Sequence, residues 1–138
     1  MSKVQKSFTG HYEILEEIGA FLQEAVSDSR LSESDRYALQ LAVDEAATNI
    51  IEYAYRDQDQ GTIDLTVNQT PEKVVIILHD DGVAFNPDGV PQYDHDVSLE
   101  DMAERGAGLH LIKTIMDDVT FKFDERKGNT LLMVKVIE

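Results

Sequence analysis

The chain has 138 residues, 42% of them apolar, and its 27 acidic side chains outnumber 12 basic ones for a formal net charge of −15. That length suits one domain, residues 1–138, with a core that needs no disulfide or metal staple. The absence of cysteine removes thiolate nucleophiles and Cys-based zinc sites, and acidity without a basic run argues against direct binding to nucleic acid or an anionic membrane surface.

The first residues, through Glu17, lack the apolar core of a signal peptide, and no stretch approaches the roughly 20 apolar residues of a membrane span. A soluble, cytoplasmic protein is expected. Val4 to Thr9 reads as a short first strand. From Glu13 to Val26 the apolar residues Ile14, Leu15, Ile18, Phe21, Leu22 and Ala25 form a helical stripe. Ser32 and Ser34 compete as N-cap of a long second helix that runs to about Tyr55.

On that helix Leu39, Val43, Ala46, Ala47, Ile50 and Ala54 share one face. Glu45, Asn49 and Glu52 lie opposite, within about 60° of one another. Glu45 and Asn49 stand at i and i+4 and can address one ligand. A carboxylate there can take a proton from an attacking hydroxyl, and an amide oxygen beside it can ligate a hard cation such as Mg²⁺. The ordinary alternative is a solvated polar stripe.

Gly61 opens a strand in which Ile63, Leu65 and Val67 alternate with Thr62, Asp64 and Thr66. After a Thr70–Pro71 turn, the unbroken apolar run from Val74 to Leu78 reads as a strand covered on both faces. His79-Asp80-Asp81-Gly82 follows at once. A carboxylate at a strand end can accept from the exocyclic amine of adenine, where guanine offers only an acceptor, and a glycine lets backbone approach a planar ring. An Asp-Gly turn is the plainer reading.

Between Ala84 and Glu104 periodicity stops, with Pro87, Gly89, Pro91 and several acids. A loop of that length within a compact domain is usually functional or disordered. Arg105-Gly106-Ala107-Gly108 then starts a helix from Leu109 to Met116. Glycines at a helix start expose amide hydrogens and the positive dipole end, suited to phosphate, although glycine pairs also serve as hinges. The segment is neither a Walker A loop nor a full dinucleotide fingerprint. Val119, Phe121 and Phe123 form a further strand, Lys127-Gly128-Asn129 a turn, and Thr130 to Ile137 the last strand. The order predicts an α+β fold, helices packed against a largely antiparallel sheet.

The order of these features resembles the GHKL ATPase superfamily, and within it the RsbW/SpoIIAB-like anti-sigma factor serine kinases. Glu45-Ala-Ala-Thr-Asn49, continuing Ile-Ile-Glu-Tyr-Ala-Tyr, is similar to that family's N box. Asp80-Asp-Gly82-Val-Ala-Phe85 is similar to its G1 box, and Gly106-Ala-Gly108-Leu-His-Leu-Ile112 to its G2 region. Two departures stand out: Tyr53 occupies a position where the family often has histidine, and only Ala107 separates the two glycines.

The resemblance implies a Bergerat-type two-layer sandwich, with helices on one face of a mixed, largely antiparallel sheet. It implies ATP and Mg²⁺ as cofactors, Glu45 as general base and Asn49 as Mg²⁺ ligand. Asp80 would read the adenine amino group, with Gly82 giving the ring access, and Gly106 and Gly108 would offer amides to the phosphates. Further nucleotide contacts are implied at Phe85, Arg105, Ala107, Leu109 and Thr130, with residues 86–105 as an ATP lid. The implied partners are an anti-anti-sigma protein of STAS type, phosphorylated on serine or threonine, a sigma factor held in its place, and a second copy of the chain in a homodimer. Two other functions fit the same residues: a nucleotide-gated protein that sequesters a partner without phosphorylating it, and an acidic adaptor in which all three boxes are structural.

Overall fold

A computed structural model of the chain describes residues 2–55, 60–82, 110–124 and 126–137. Strand β1 (Ser2–Gly10) leads into helix α1 (Ile14–Ala25) and helix α2 (Glu33–Asn49). A π-helical turn, Ile50–Ala54, extends α2, and strands β2 (Gly61–Gln69) and β3 (Lys73–Asp80) follow. A short helix α3 over residues 110–115 precedes β4 (Asp118–Asp124) and β5 (Gly128–Val136).

The five strands form one sheet in the order β1-β2-β3-β5-β4. Every pairing between them is antiparallel, so the mixed sheet implied by the family resemblance is corrected among the described residues. The α+β, two-layer expectation stands.

Each helix forms for a local reason and stays for a tertiary one. In α1, Ile14, Ile18 and Leu22 recur at i, i+4 and i+8 and are buried. In α2 the cap is Ser32, whose Oγ accepts from the Asp35 amide at 3.0 Å; Ser34, the rival, lies inside the first turn. Such a cap contributes about 1 kcal/mol, and Glu33 and Asp35 add negative charge at the positive end of the helix dipole. Leu39, Ala42, Val43, Ala46 and Ala47 are the buried face of α2. Together with α1 they cover Ile63, Leu65, Ile76, Leu78 and Met133 in a single core cluster.

Among the described residues, strand β3 is not covered by helices on both faces. Val74, Ile76, Leu78 and Asp80 are buried, while Val75, Ile77 and His79 are only partly so. The helices lie on one face of the sheet. On the other, Val75 faces Val134 and Ile77 faces Leu132 across strands, and these neighbours provide partial shelter.

The second helix also differs from a uniform α-helix ending at Tyr55. After Asn49 the turn widens, and the Tyr55 amide bonds to the Ile50 carbonyl at 3.1 Å, an i to i−5 bond. The wider turn accompanies the anchoring of Tyr55, whose side chain is buried and whose hydroxyl reaches the Thr62 carbonyl on β2.

Candidate functional site

The sheet register decides which side chains meet. Asp80, at the end of β3, faces Asn129 at the start of β5, and both are inward-facing and buried, 3% and 2% exposed. Asn129 follows Gly128, whose φ of +85° suits glycine and whose missing Cβ leaves room for the Asp80 carbonyl. The Asn129 side-chain amide donates to Asp80 Oδ1 at 2.9 Å, and the Gly82 backbone amide donates to the same oxygen at 2.9 Å. One carboxylate oxygen is thereby held by two donors from among the described residues.

Burial pushes the Asp80 carboxyl above its ordinary value; the bonds from Asn129 and Gly82 and the neighbouring His79 pull the other way. Gly82 is required by packing: a Cβ there would come within 2.4 Å of the Ala54 carbonyl oxygen, at the end of the π turn.

Asp80 and Asn129 sit in the wall of a cavity of about 480 Å³, counting its open mouth. From α2 and the π turn come Ala46, Asn49, Ile50, Tyr53 and Ala54. Leu78, Phe121 and Leu131 supply the sheet side, and Ile112 supplies α3. A mostly apolar hollow with a few convergent polar groups is the usual form of a small-molecule site.

Asn49 and Asp80, 31 residues apart in sequence, thus share one cavity. Glu45 lies one turn earlier on α2, partly buried. Glu52, grouped with them by helical periodicity, is not in the cavity lining; Tyr12 Oη, in the β1–α1 connection, donates to its Oε1 at 3.4 Å.

Thr130, expected near the base, faces the opposite side of the sheet, opposite His79. Asn129 takes the inward place. Sequence reasoning missed it, because only the burial of Leu131 and Met133 in the folded sheet shows that position 129 faces inward. Phe85, Arg105, Gly106, Ala107, Gly108, Leu109 and the lid over 86–105 lie outside the described residues. The helix that the glycine pair precedes does reach the cavity, through Ile112.

Behind Asp80, on the outer sheet face, His79 joins three elements. Its Nδ1 is 3.4 Å from Asp64 Oδ2 on β2, its Nε2 meets the Lys127 carbonyl in the β4–β5 turn, and Asp64 also accepts from Ser7 on β1. The Lys127 carbonyl, then Asp81 and Asp64, hold His79 above the ordinary imidazole value against the opposing effect of partial burial. A raised folded-state pKa means that this contribution to stability is full below the unfolded value near 6.5. It is lost as pH rises through the folded value. The thermal midpoint difference between wild type and His79→Gln is therefore expected to shrink across that interval; a constant difference in a pH series of melts would show that the imidazolium does not hold these elements.

The profile of the histidine kinase-like ATPase domain matches residues 8–135. The chain belongs to this family. It is 37% identical over 108 residues to the serine-protein kinase RsbW of Bacillus mycoides, an alignment spanning 75% of this chain and 66% of that protein. RsbW of Bacillus cereus is 36% identical over 104 residues, spanning 72% and 63%. The chain thus spans just under two thirds of the length of these curated relatives. Among solved structures, a chain of the SiaB–SiaC complex from Pseudomonas aeruginosa superposes with a TM-score of 0.57 over 96% of this chain and 89% of that one. At 17% identity that likeness speaks to the fold alone.

The histidine kinase-like ATPase fold accounts for a cavity between a helix layer and one sheet. Among the described residues no helix is long and apolar enough to cross a membrane.

Proposed function

We propose that this chain is an ATP-dependent protein serine/threonine kinase that also acts as an anti-sigma factor. The observation that carries the reading is the shared cavity, which Asn49 and a buried Asp80 clamped at one oxygen both line, within a histidine kinase-like ATPase domain. Similarity to the RsbW serine-protein kinases supports the choice of a serine or threonine hydroxyl on a protein as acceptor. The partner would be a STAS-type anti-anti-sigma protein, and the working form a cytoplasmic homodimer.

In this reading adenine enters the apolar hollow and its amino group donates to the other oxygen of Asp80. The glycine pair 106 and 108 offers backbone amides to the phosphates, with Arg105 nearby and residues 86–105 closing as a lid. Asn49 provides the amide oxygen for Mg²⁺, an ion that characteristically takes one or two protein oxygens and completes its shell with phosphate and water. When bound, that ion neutralises phosphate charge. Glu45 accepts the proton of the attacking hydroxyl as the new O–P bond forms and the bond from the γ-phosphorus to the bridging oxygen breaks, releasing ADP. Phosphoryl transfer asks chiefly for positioning and electrostatic stabilisation, which these residues are suited to provide.

Product release follows from charge. A phosphoryl group adds about −1.5 to −2 at neutral pH, and this chain already carries −15. Repulsion favours departure of the phosphorylated partner and leaves the kinase free to hold the sigma factor.

The test is transfer of labelled γ-phosphate from ATP to a STAS-type partner, with nucleotide affinity measured in parallel. Transfer is expected with Mg²⁺, and affinity is expected to fall at least tenfold in chelator, because an acidic chain offers few cations to a polyanion. Tight, metal-independent ATP binding would contradict the phosphate arrangement. Nucleotide-dependent capture of the partner without transfer would leave a sequestering protein and remove the kinase.

A further inference from the structure

Tyr55 does not line the cavity, yet it ties together the pieces that shape it. Its side chain is 5% exposed. The hydroxyl donates to the Thr62 carbonyl of β2 at 2.6 Å and accepts the Asp81 backbone amide at 3.0 Å. The phenol proton is used on Thr62, so Asp81 meets a lone pair, and both bonds are satisfied together.

The ring is fixed as firmly as the hydroxyl. A Cβ added at Gly61 would come within 2.3 Å of the Tyr55 ring, so β2 begins pressed against it. One residue earlier, the Ala54 carbonyl fills the space where a Cβ of Gly82 would stand. The end of the π turn therefore grips the segment after β3 at two adjacent points, Asp81 through Tyr55 and Gly82 through Ala54.

That segment aims the base-reading carboxylate, because the Gly82 amide and the Asn129 side chain are, among the described residues, the two donors that hold Asp80 Oδ1. A shift of Asp81 moves the Gly82 amide and releases half of that clamp. We propose that Tyr55 is a positioning residue for Asp80, fixing the carboxylate from the end of the same helix that carries Glu45 and Asn49. The inference rests on Asp80 reading adenine. Burial first, and then the charges of Asp80 and Asp81, raise the Tyr55 hydroxyl above its ordinary value, so it stays a neutral donor at physiological pH.

The experiment compares wild type with Tyr55→Phe, which keeps the ring against Gly61 and removes only the hydroxyl. Affinities for ADP and GDP are measured by calorimetry with Mg²⁺, at a temperature where melts show both proteins folded. ADP affinity is expected to fall about tenfold, and the preference for ADP over GDP to fall with it, since a misaimed carboxylate loses discrimination. A residue that only stabilised the fold would lower the melting temperature and leave both ratios unchanged, which would overturn the proposal. Amide exchange at Asp81 in nucleotide-free wild type gives a second readout that needs no variant. Slow exchange is expected, and exchange at the rate of an open loop would overturn the proposal. Wild type that binds no nucleotide would remove the function reading and this inference together; wild-type binding beside an unaltered Tyr55→Phe removes the inference alone.

Discussion

Glu45→Gln is expected to slow phosphoryl transfer by about 10²- to 10⁴-fold, the usual contribution of a positioned general base, while changing nucleotide affinity by less than about threefold. The two effects separate because of where the residues stand. Asn49 is in the cavity wall, whereas Glu45, one helical turn toward the N-terminus, is outside the lining and partly buried. In the proposed function the nucleotide would be held by Asp80, Asn49 and the glycine pair, with little need of the Glu45 charge. The glutamine keeps the shape and hydrogen-bonding reach of the side chain and loses only its ability to take a proton. Single-turnover transfer to the protein partner, with ADP affinity measured on the same samples, distinguishes the outcomes. Undiminished transfer would remove Glu45 as base. Parallel loss of transfer and affinity would place it in nucleotide binding instead.

Much of this site is legible in the sequence alone, and the misses have a common cause. Alternation over Thr62 to Val67 is a local signal, and β2 follows it. The Ser32 cap, the buried stripe of α1 and the Asp-x-Gly at the end of β3 are local as well. Asn129 is not legible, because inwardness in β5 depends on parity, and Leu131, Leu132, Met133 and Val134 are apolar on both parities. Only pairing with β3 settles that Asn129 faces Asp80 and Thr130 faces His79. The same ambiguity explains β3, where Val75 and Ile77 are apolar because Val134 and Leu132 lie across from them, not because a second layer among the described residues covers them. The π turn after Asn49 is not legible either, because a constant 100° step cannot foresee a wider turn.

Acidity takes on a structural meaning alongside these results. A net charge of −15 argues against nucleic acid and anionic membranes as partners. Within the site, the buried carboxylate of Asp80 has its first oxygen held by two N–H donors, and the proposed function directs it at a base edge. In the proposed function, negative charge at Asp80 is tolerable next to a nucleotide because it is spent on the adenine end. The proposed function accordingly assigns phosphate affinity to the backbone amides of the glycine pair, the metal and Arg105.

Asp80→Asn should weaken adenine-nucleotide binding by about 10- to 100-fold, the equivalent of losing a hydrogen bond of about 1.5–3 kcal/mol to a charged group. Asparagine's carbonyl oxygen can still accept from Gly82 and Asn129, so the clamp survives. The other oxygen, however, becomes an NH₂ group and meets the adenine amine donor to donor. Guanine offers an acceptor at that edge, so the ratio of GDP to ADP affinity should rise as ADP affinity falls. Stability should move the other way. The folded protein raises the pKa of Asp80 because burial disfavours its ionised form, and a carboxyl so shifted carries its full penalty once ionised, above the folded value, and none below the unfolded one. The neutral isostere removes that penalty, so the melting temperature should hold or increase while binding is lost. The pH profile gives a third signature. Wild-type ADP affinity should decline on the acid side at a pH above the ordinary aspartate value of 3.8, as Asp80 takes up a proton, and the Asn variant should not show that decline. Calorimetric titrations of both proteins with ADP and GDP across this range provide the check, and a variant that matches wild type at neutral pH would remove Asp80 as the adenine reader.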